Sequence, residues 1–343
     1  MTPLATPPWW WPDPPTETLP TMQALRVHAF DQPLQLGTLP VPEPAAGQVR
    51  VRVQACGISF FDLLIARGGY QWRPGLPFTV GSEFAGVVDA LGPGTTGLAV
   101  GDRVGGSVSI GAWCQQLCVP ADALHPVAPQ AALDEAAVLF MPYGTALYAL
   151  RERGHLQPGE TLLVLGATGT VGAAAVQLGK ALGARVIGGA TGAAKCAAVR
   201  AAGADAVVDL GAEDWKDQVK ALAGPQGVEV VAVPVGGAAT DTAFRTLGWG
   251  GRHLVLGFAS GSIGQLKGNL TIVKGASLVG VDLRQFKERQ PDAARVLMQD
   301  VAALHRGGRI QPLITSRWPL AHHAQACAQA GDRATVGRVL LLP

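Results

Sequence analysis

At 343 residues, with 48% apolar and 15% charged side chains, the chain carries enough apolar material for two cored domains and too much for a disordered one. Its 27 basic and 25 acidic residues leave a net charge of +2, which offers no electrostatic footprint for nucleic acid. No apolar run has membrane-spanning length and no charged n-region precedes an apolar core, so neither a membrane anchor nor a secretory signal is expected; five scattered cysteines (Cys56, Cys114, Cys118, Cys196 and Cys327) read as reduced thiols of a cytoplasmic protein.

Residues 1–21, MTPLATPPWWWPDPPTETLPT, are Pro- and Trp-rich and predict a mobile arm, with Trp9, Trp10 and Trp11 able to dock on the body or on another subunit. Met22 opens MQALRVHAF, which reads as a first strand. From 22 to about 125 short strands alternate with Gly/Pro turns; Val49–Ala55, Phe84–Leu91 and Cys114–Val119 are strand candidates, with turns at Gly92–Gly97 and Gly101–Gly106. This predicts a compact β-rich domain. Asp134–Leu139 and Thr145–Arg153 read as helices leading out of it.

A different rhythm begins at Thr161. Thr161–Leu165 is an apolar run suited to a buried parallel strand. A turn follows with glycines at Gly166, Gly169 and Gly172, and then a helix with Val171, Ala174, Ala175, Leu178 and Leu182 at helical spacing. A second strand, Arg185–Gly188, closes a βαβ unit. A helix N-terminus presents unpaired N–H groups and a positive dipole end, and a pyrophosphate reaches them only where side chains are missing. Gly169 permits that approach, and Gly172 lets the helix pack closely on the strand. Thr168, Thr170 and Val171 complete the turn.

The stretch after the second strand selects the dinucleotide. Sites for an unphosphorylated ribose place an acid about 20 residues past the glycines. Here no acid lies between Glu160 and Asp205; the chain offers Thr191 and Lys195. A hydroxyl and a cation suit a 2′-phosphate, hence NADPH; the bland reading of Lys195 is a solvated helix lysine.

Helices near 194–202, 213–222 and 239–247 then alternate with strands Ala206–Asp209, Val228–Val233 and Arg252–Leu256, which specifies a doubly wound parallel sheet. Ser277–Val281 reads as a last, edge strand, open to a second copy. Pro291–Arg306 reads as a helix, and Ile314–Trp318, a helix over Leu320–Ala330 and Gly337–Leu342 return to the first domain. The seven histidines form no ligand spacing and read as structural or surface residues.

Taken in order, CGISFFDLLIARGGY (56–70), LPFTVGSEFAGVVDALG (76–92), VGDRV (100–104), YGTALYAL (143–150), LQPGETLLVLGATGTVGAAAVQLGKALGARVI (156–187), PVGG (234–237), GGRHLVLGFASG (250–261) and SLVGV (277–281) resemble the medium-chain dehydrogenase/reductase superfamily, in its zinc-independent quinone oxidoreductase branch related to zeta-crystallin. The resemblance covers about Met22 to the C-terminus. It implies an α/β protein with a GroES-like catalytic domain (22–145 and 283–343), a Rossmann domain (146–282) and a cleft between them. It also implies NADPH-dependent reduction of a quinone or an α,β-unsaturated carbonyl.

In zinc-dependent relatives a Cys and a His hold the metal where this chain has Ser59 and Ser82, and the third ligand region, 140–143, has neither Cys nor His. No metal is therefore expected. Hydride can still add to a conjugated carbon, with the charge on oxygen met by hydrogen-bond donors. By resemblance Ser59, Asp62, Tyr70 and Tyr143 line the substrate side, with Ser59 standing where many relatives have Asn. Thr145, Gly257, Phe258, Ala259, Asn269 and Arg338 match cofactor positions. Val233 stands where relatives often carry Asp before PVGG. Rival readings are enoyl-thioester reduction, for which the chain lacks an obvious basic cluster, and a non-catalytic NADPH-binding protein. A homodimer through the 277–281 edge is implied as well.

Overall fold

The computed structural model describes residues 20–70 and 72–343. The Pro/Trp-rich arm lies almost wholly outside the described residues. In chain order the elements are β1 (Thr21–Val27), β2 (Gln35–Pro40), β3 (Gln48–Ile58), α1 (Phe60–Ala66), β4 (Phe78–Thr79), β5 (Glu83–Leu91), β6 (Arg103–Ser107), β7 (Gln116–Pro120), β8 (Leu124–Pro126), α2 (Leu133–Ala136) and α3 (Phe140–Leu147). The alternating half follows: β9 (Thr161–Leu165), α4 (Thr170–Ala181), β10 (Arg185–Ala190), α5 (Ala193–Ala201), β11 (Ala206–Asp209), α6 (Trp215–Ala223), β12 (Val228–Val233), α7 (Ala239–Phe244), β13 (Leu247–Val255), α8 (Asn269–Lys274) and β14 (Ser277–Gly280). Then come α9 (Leu283–Arg289), α10 (Pro291–Arg306), β15 (Ile314–Pro319), α11 (His323–Gly331) and β16 (Arg338–Leu342).

Two sheets organise the molecule. The first, seven-stranded, runs β15-β16-β3-β5-β6-β8 with β7 also paired to β3; a small sheet β2-β1-β4 lies beside it. The second runs β11-β10-β9-β12-β13-β14, and every pair in it is parallel. Its strand order reverses direction between β9 and β12, where a doubly wound sheet leaves its crevice. Burial on both faces explains the continuous apolar strands. Leu162, Val164, Val186, Val230 and Leu254 face one core; Leu163, Leu165, Ile187, Val231 and Val233 face the other.

The apolar side of α10 (Leu297, Met298, Val301) joins the first of these cores, along with Phe140, Tyr143 and Leu147 from α3. Met298 packs so closely on α3 that a side chain at Gly144 would collide with it. The chain thus passes from one sheet to the other twice, through α2–α3 and through residues 311–313 between α10 and β15.

Expected and observed elements agree in type along the second sheet and differ at edges. The helix expected over 145–153 begins at Phe140 and ends in a π-helical turn, Tyr148–Arg153. The helix expected over 239–247 stops at Phe244, and its strand starts at Leu247, running through three glycines. The strand expected from Cys114 begins at Gln116, since Cys114 makes an isolated bridge to Ala24. Helices α1, α8 and α9 had no counterpart in the sequence expectations; each is short, with too few turns for a legible apolar stripe.

Candidate active site in the interdomain cleft

The glycine turn sits at the C-terminal edge of the parallel sheet. Gly169 is the N-cap of α4, with no side-chain cap and no acidic residue in the first turn. The first N–H groups of a helix lack intrahelical partners, so this end is left with donors and a positive dipole. A Cβ at Gly172 would run into the carbonyl oxygen of Gly166, whereas one at Gly169 meets that oxygen at 3.3 Å and otherwise open space. Gly172 is therefore required by packing and Gly169 by access. Gly166 has φ of 60° and lies against Val235, which brings the neighbouring loop alongside. That loop and the next are stitched together: Ala259 N–H donates to the Pro234 carbonyl (3.2 Å) and Ser260 N–H to that of Val235 (2.9 Å). Gly257, Phe258 and Ala259 thus lie at the sheet edge that holds the glycine turn, with Phe258 exposed.

At the end of β10, Thr191 is exposed and Lys195 half-buried, one turn into α5. The structure adds an acid that the interval after the glycines does not contain. Asp209, from the end of β11, pairs in register with Ala190 and accepts from the Gly192 (3.0 Å) and Gly211 (2.8 Å) amides. Those two amides hold its carboxyl below the usual range. A search along one strand could not find it, because it arrives from the neighbouring one.

Across the cleft, the β3–α1 and β4–β5 junctions of the first sheet converge. Ser59 caps α1 in a reciprocal box. Its Oγ accepts from Asp62 N–H (3.2 Å), and Asp62 Oδ2 accepts from Ser59 N–H (2.8 Å) and Ser59 Oγ–H (2.7 Å). Both residues are buried. Burial pushes the Asp62 carboxyl up to about 6, against hydrogen bonding from Ser59 and with help from the Glu83 charge. Glu83 Oε1 accepts from Arg338 Nη2 at 2.6 Å in a buried ion pair. Arg338 also donates to the Ile58 carbonyl at 3.3 Å. Its Nε and Nη1, with Glu83 Oε2 and Ser82 Oγ, are buried without partners among the described residues. Among the described residues, no group of three or more His, Cys, Asp and Glu is placed to hold a metal ion.

A cavity joins the two halves. Thr168, Gly169 and Thr170 line it on one side, Arg338, Pro312 and Tyr143 on the other. Tyr143 is buried, its hydroxyl pushed up by burial, and it donates to Gln177 Oε1 at 3.0 Å. The glycine turn of one domain and Arg338 of the other thus line the same cavity.

The comparisons agree with this geometry. A model described as zinc-binding dehydrogenase matches residues 170–300, and one described as alcohol dehydrogenase GroES-like domain matches 45–129. The quinone oxidoreductase-like protein 2 homolog of Nematostella vectensis is 35% identical over 86% of this chain and 81% of its own length. The chain is a medium-chain dehydrogenase/reductase. Other relatives of this dehydrogenase/reductase include the human synaptic vesicle membrane protein VAT-1 homolog, 32% identical over 88% of this chain and 80% of its own. A mycobacterial structure solved in complex with NADPH superposes with a TM-score of 0.86, at 30% identity, over 94% of this chain and 100% of its own. The family supports an oxidoreductase built from a GroES-like and a Rossmann domain.

Not every residue singled out by sequence sits in the cavity of this dehydrogenase/reductase. Thr168, Gly169, Thr170, Tyr143 and Arg338 line it; Gly166, Val171 and Gly172 shape the turn. Thr145 is half-buried and donates its hydroxyl to the Met141 carbonyl one turn back, at 2.7 Å. Tyr70 is 39% exposed and stands edge-on to Phe61, ring centroids 5.0 Å apart. Asn269 is exposed at the first turn of α8. Gln177, Glu83 and Asp209 went unseen in the sequence. Their roles depend on partners 34, 255 and 17 positions away.

Proposed function

We propose that the chain is a zinc-independent, NADPH-dependent reductase of quinones or α,β-unsaturated carbonyls. The observation that carries this reading is the bare glycine turn lining one cavity with Arg338, with hydroxyls at Ser59 and Ser82 in place of thiolate and imidazole. An uncapped helix N-terminus fits a pyrophosphate, and Arg338 adds a cation to the same cavity. Thr191 and Lys195 would hold the 2′-phosphate; Thr145, Gly257, Phe258, Ala259 and Asn269 would border the nicotinamide end. When bound, the cofactor supplies hydride.

The chain's own residues do the rest. Binding across the cleft orients the acceptor, and orientation is a large share of the barrier in such transfers. Ser59 and Tyr70 would donate to the oxygen on which charge gathers. Asp62, part-protonated near neutrality and hydrogen-bonded to Ser59 Oγ, would replenish the Ser59 proton. The test is a panel of quinones, enones and simple ketones with NADPH and NADH side by side, each repeated with EDTA. Turnover of quinones or enones, faster with NADPH and unchanged by EDTA, is expected. Loss of activity on chelation, or reduction of simple ketones alone, overturns it.

The same reading includes a cytoplasmic homodimer. Its support is β14, the outer strand of its sheet, beside exposed Trp249 (86%), Ile272 (82%) and Val273 (71%). Val279→Pro should yield monomers by light scattering; a persistent dimer rejects that edge.

A further inference from the structure

The cavity wall opposite the glycine turn is formed by the segment on which the chain returns to the catalytic sheet, and one side chain ties that segment down. Gln177 lies two turns into α4, the helix that the glycine turn begins. Its Oε1 accepts from the Gln311 N–H at 2.7 Å and its Nε2 donates to the Gln311 carbonyl at 2.9 Å. This two-point pairing fixes which end of the amide is oxygen. The same Oε1 also accepts from the Tyr143 hydroxyl at 3.0 Å. Tyr143 belongs to α3, on the outward crossing between the sheets; Gln311 belongs to the return crossing. A second bond, Arg309 Nη2 to the Ala181 carbonyl at 2.9 Å, docks the return segment on the far end of α4. Gln311 reaches on through Nε2 to Glu135 Oε1 (3.2 Å), and Glu135 Oε2 meets His305 Nε2 at 2.7 Å.

We propose that Gln177 is a positioning residue, a clasp through which both crossings are held against the cofactor helix. It rests on the reading above that NADPH occupies the glycine turn. Pro312 and Leu313, the residues after Gln311, line the cavity together with Thr168, Gly169 and Thr170. With the clasp made, that wall stands in place before the dinucleotide arrives. Without it, binding must first order residues 309–313 and bring Tyr143 into line. Affinity falls by the fraction of molecules in the competent state. Because the linkage is mutual, NADPH must in turn tighten the return segment.

The test uses the full chain, with NADPH binding followed by fluorescence titration and by amide hydrogen exchange of residues 309–313. Gln177→Leu removes three hydrogen bonds and should weaken NADPH on the order of tenfold. It should also lower the protection of 309–313 in the free chain, with NADPH restoring it, whereas the wild-type segment is protected before NADPH is added. Gln177→Glu keeps both acceptances, from Tyr143 and from the Gln311 amide, and should recover most of the affinity. It also serves if Gln177→Leu does not fold, since it should keep 309–313 largely protected in the free chain while losing one bond. Wild-type binding with unchanged affinity and protection in Gln177→Leu overturns the clasp alone. So does a mere drop in Tm with the free chain's protection of 309–313 intact. A wild-type chain that binds no NADPH overturns the cofactor reading and the clasp with it.

Discussion

The glycine turn of the dinucleotide domain and the β3–α1 and β4–β5 junctions of the catalytic domain, which reach its cavity through Arg338, are built in opposite ways. The first works by omission. No side chain caps α4, and Gly166, Gly169 and Gly172 leave backbone donors open to the cleft. The second works by crowding. Ser59, Asp62, Ser82, Glu83 and Arg338 are all buried, with Ser59 paired to Asp62 and Glu83 to Arg338. A site made by omission tolerates little added volume. A site made by crowding tolerates little lost charge. Substitutions on either side can break or sharpen this contrast.

The largest effect is expected on the crowded side. Arg338→Leu strands the Glu83 carboxylate in the interior and should cost about 3–5 kcal/mol of stability in urea unfolding. Adding Glu83→Gln should return a large part of it. A single-variant loss under about 1 kcal/mol would show that the pair does not hold that junction together.

The next concerns pH, with His253 as the reference outside both sites. His253 is fully buried in β13 with both ring nitrogens unpartnered among the described residues, and burial lowers it from 6.5 to about 4. Between those values the unfolded chain takes up the proton and the native chain does not, so stability falls as pH drops through this window. The loss reaches about 3 kcal/mol near pH 4. His253→Phe should flatten that limb. Asp62 acts in the opposite sense. Raised to about 6, it favours the native state below its ordinary value of 3.8 and gives up that contribution as pH rises through about 6. Asp62→Asn should therefore steepen the net acid-side loss. Thermal unfolding from pH 4 to 7 reads both, and parallel curves for wild type and His253→Phe would sink the assignment.

On the side made by omission, Gly172→Ala drives a methyl into the Gly166 carbonyl and should cost about 1–3 kcal/mol. Gly169→Ala sets its methyl 3.3 Å from the same oxygen, a much milder crowding, and should lower Tm far less than Gly172→Ala, yet weaken NADPH severalfold by standing between phosphate and backbone. If both variants behave alike, the division between a packing glycine and an access glycine is wrong. The smallest effect belongs to the exposed Arg284–Glu288 pair on α9, where Glu288→Gln should change stability by no more than about 0.5 kcal/mol.

The sequence by itself determined the alternation of strand and helix from Thr161 onward, the glycine turn and the family. Those features are written in local spacing: fully apolar runs of five or six, a helical stripe, residues missing their side chains where backbone must approach. Ser59 and Asp62 were legible as residues of interest, three apart, although the helix they cap was not. Only the tertiary structure decided which distant polar groups meet. It brought Arg338 to Glu83, Asp209 to Gly192 and Gln177 to both crossings of the chain. It also turned Tyr143 toward Gln177 and Thr145 toward its own helix. Such pairings depend on how strands are ordered within each sheet and how the two cores pack, and no local periodicity encodes the partner of a polar group that lies on another strand or in another domain.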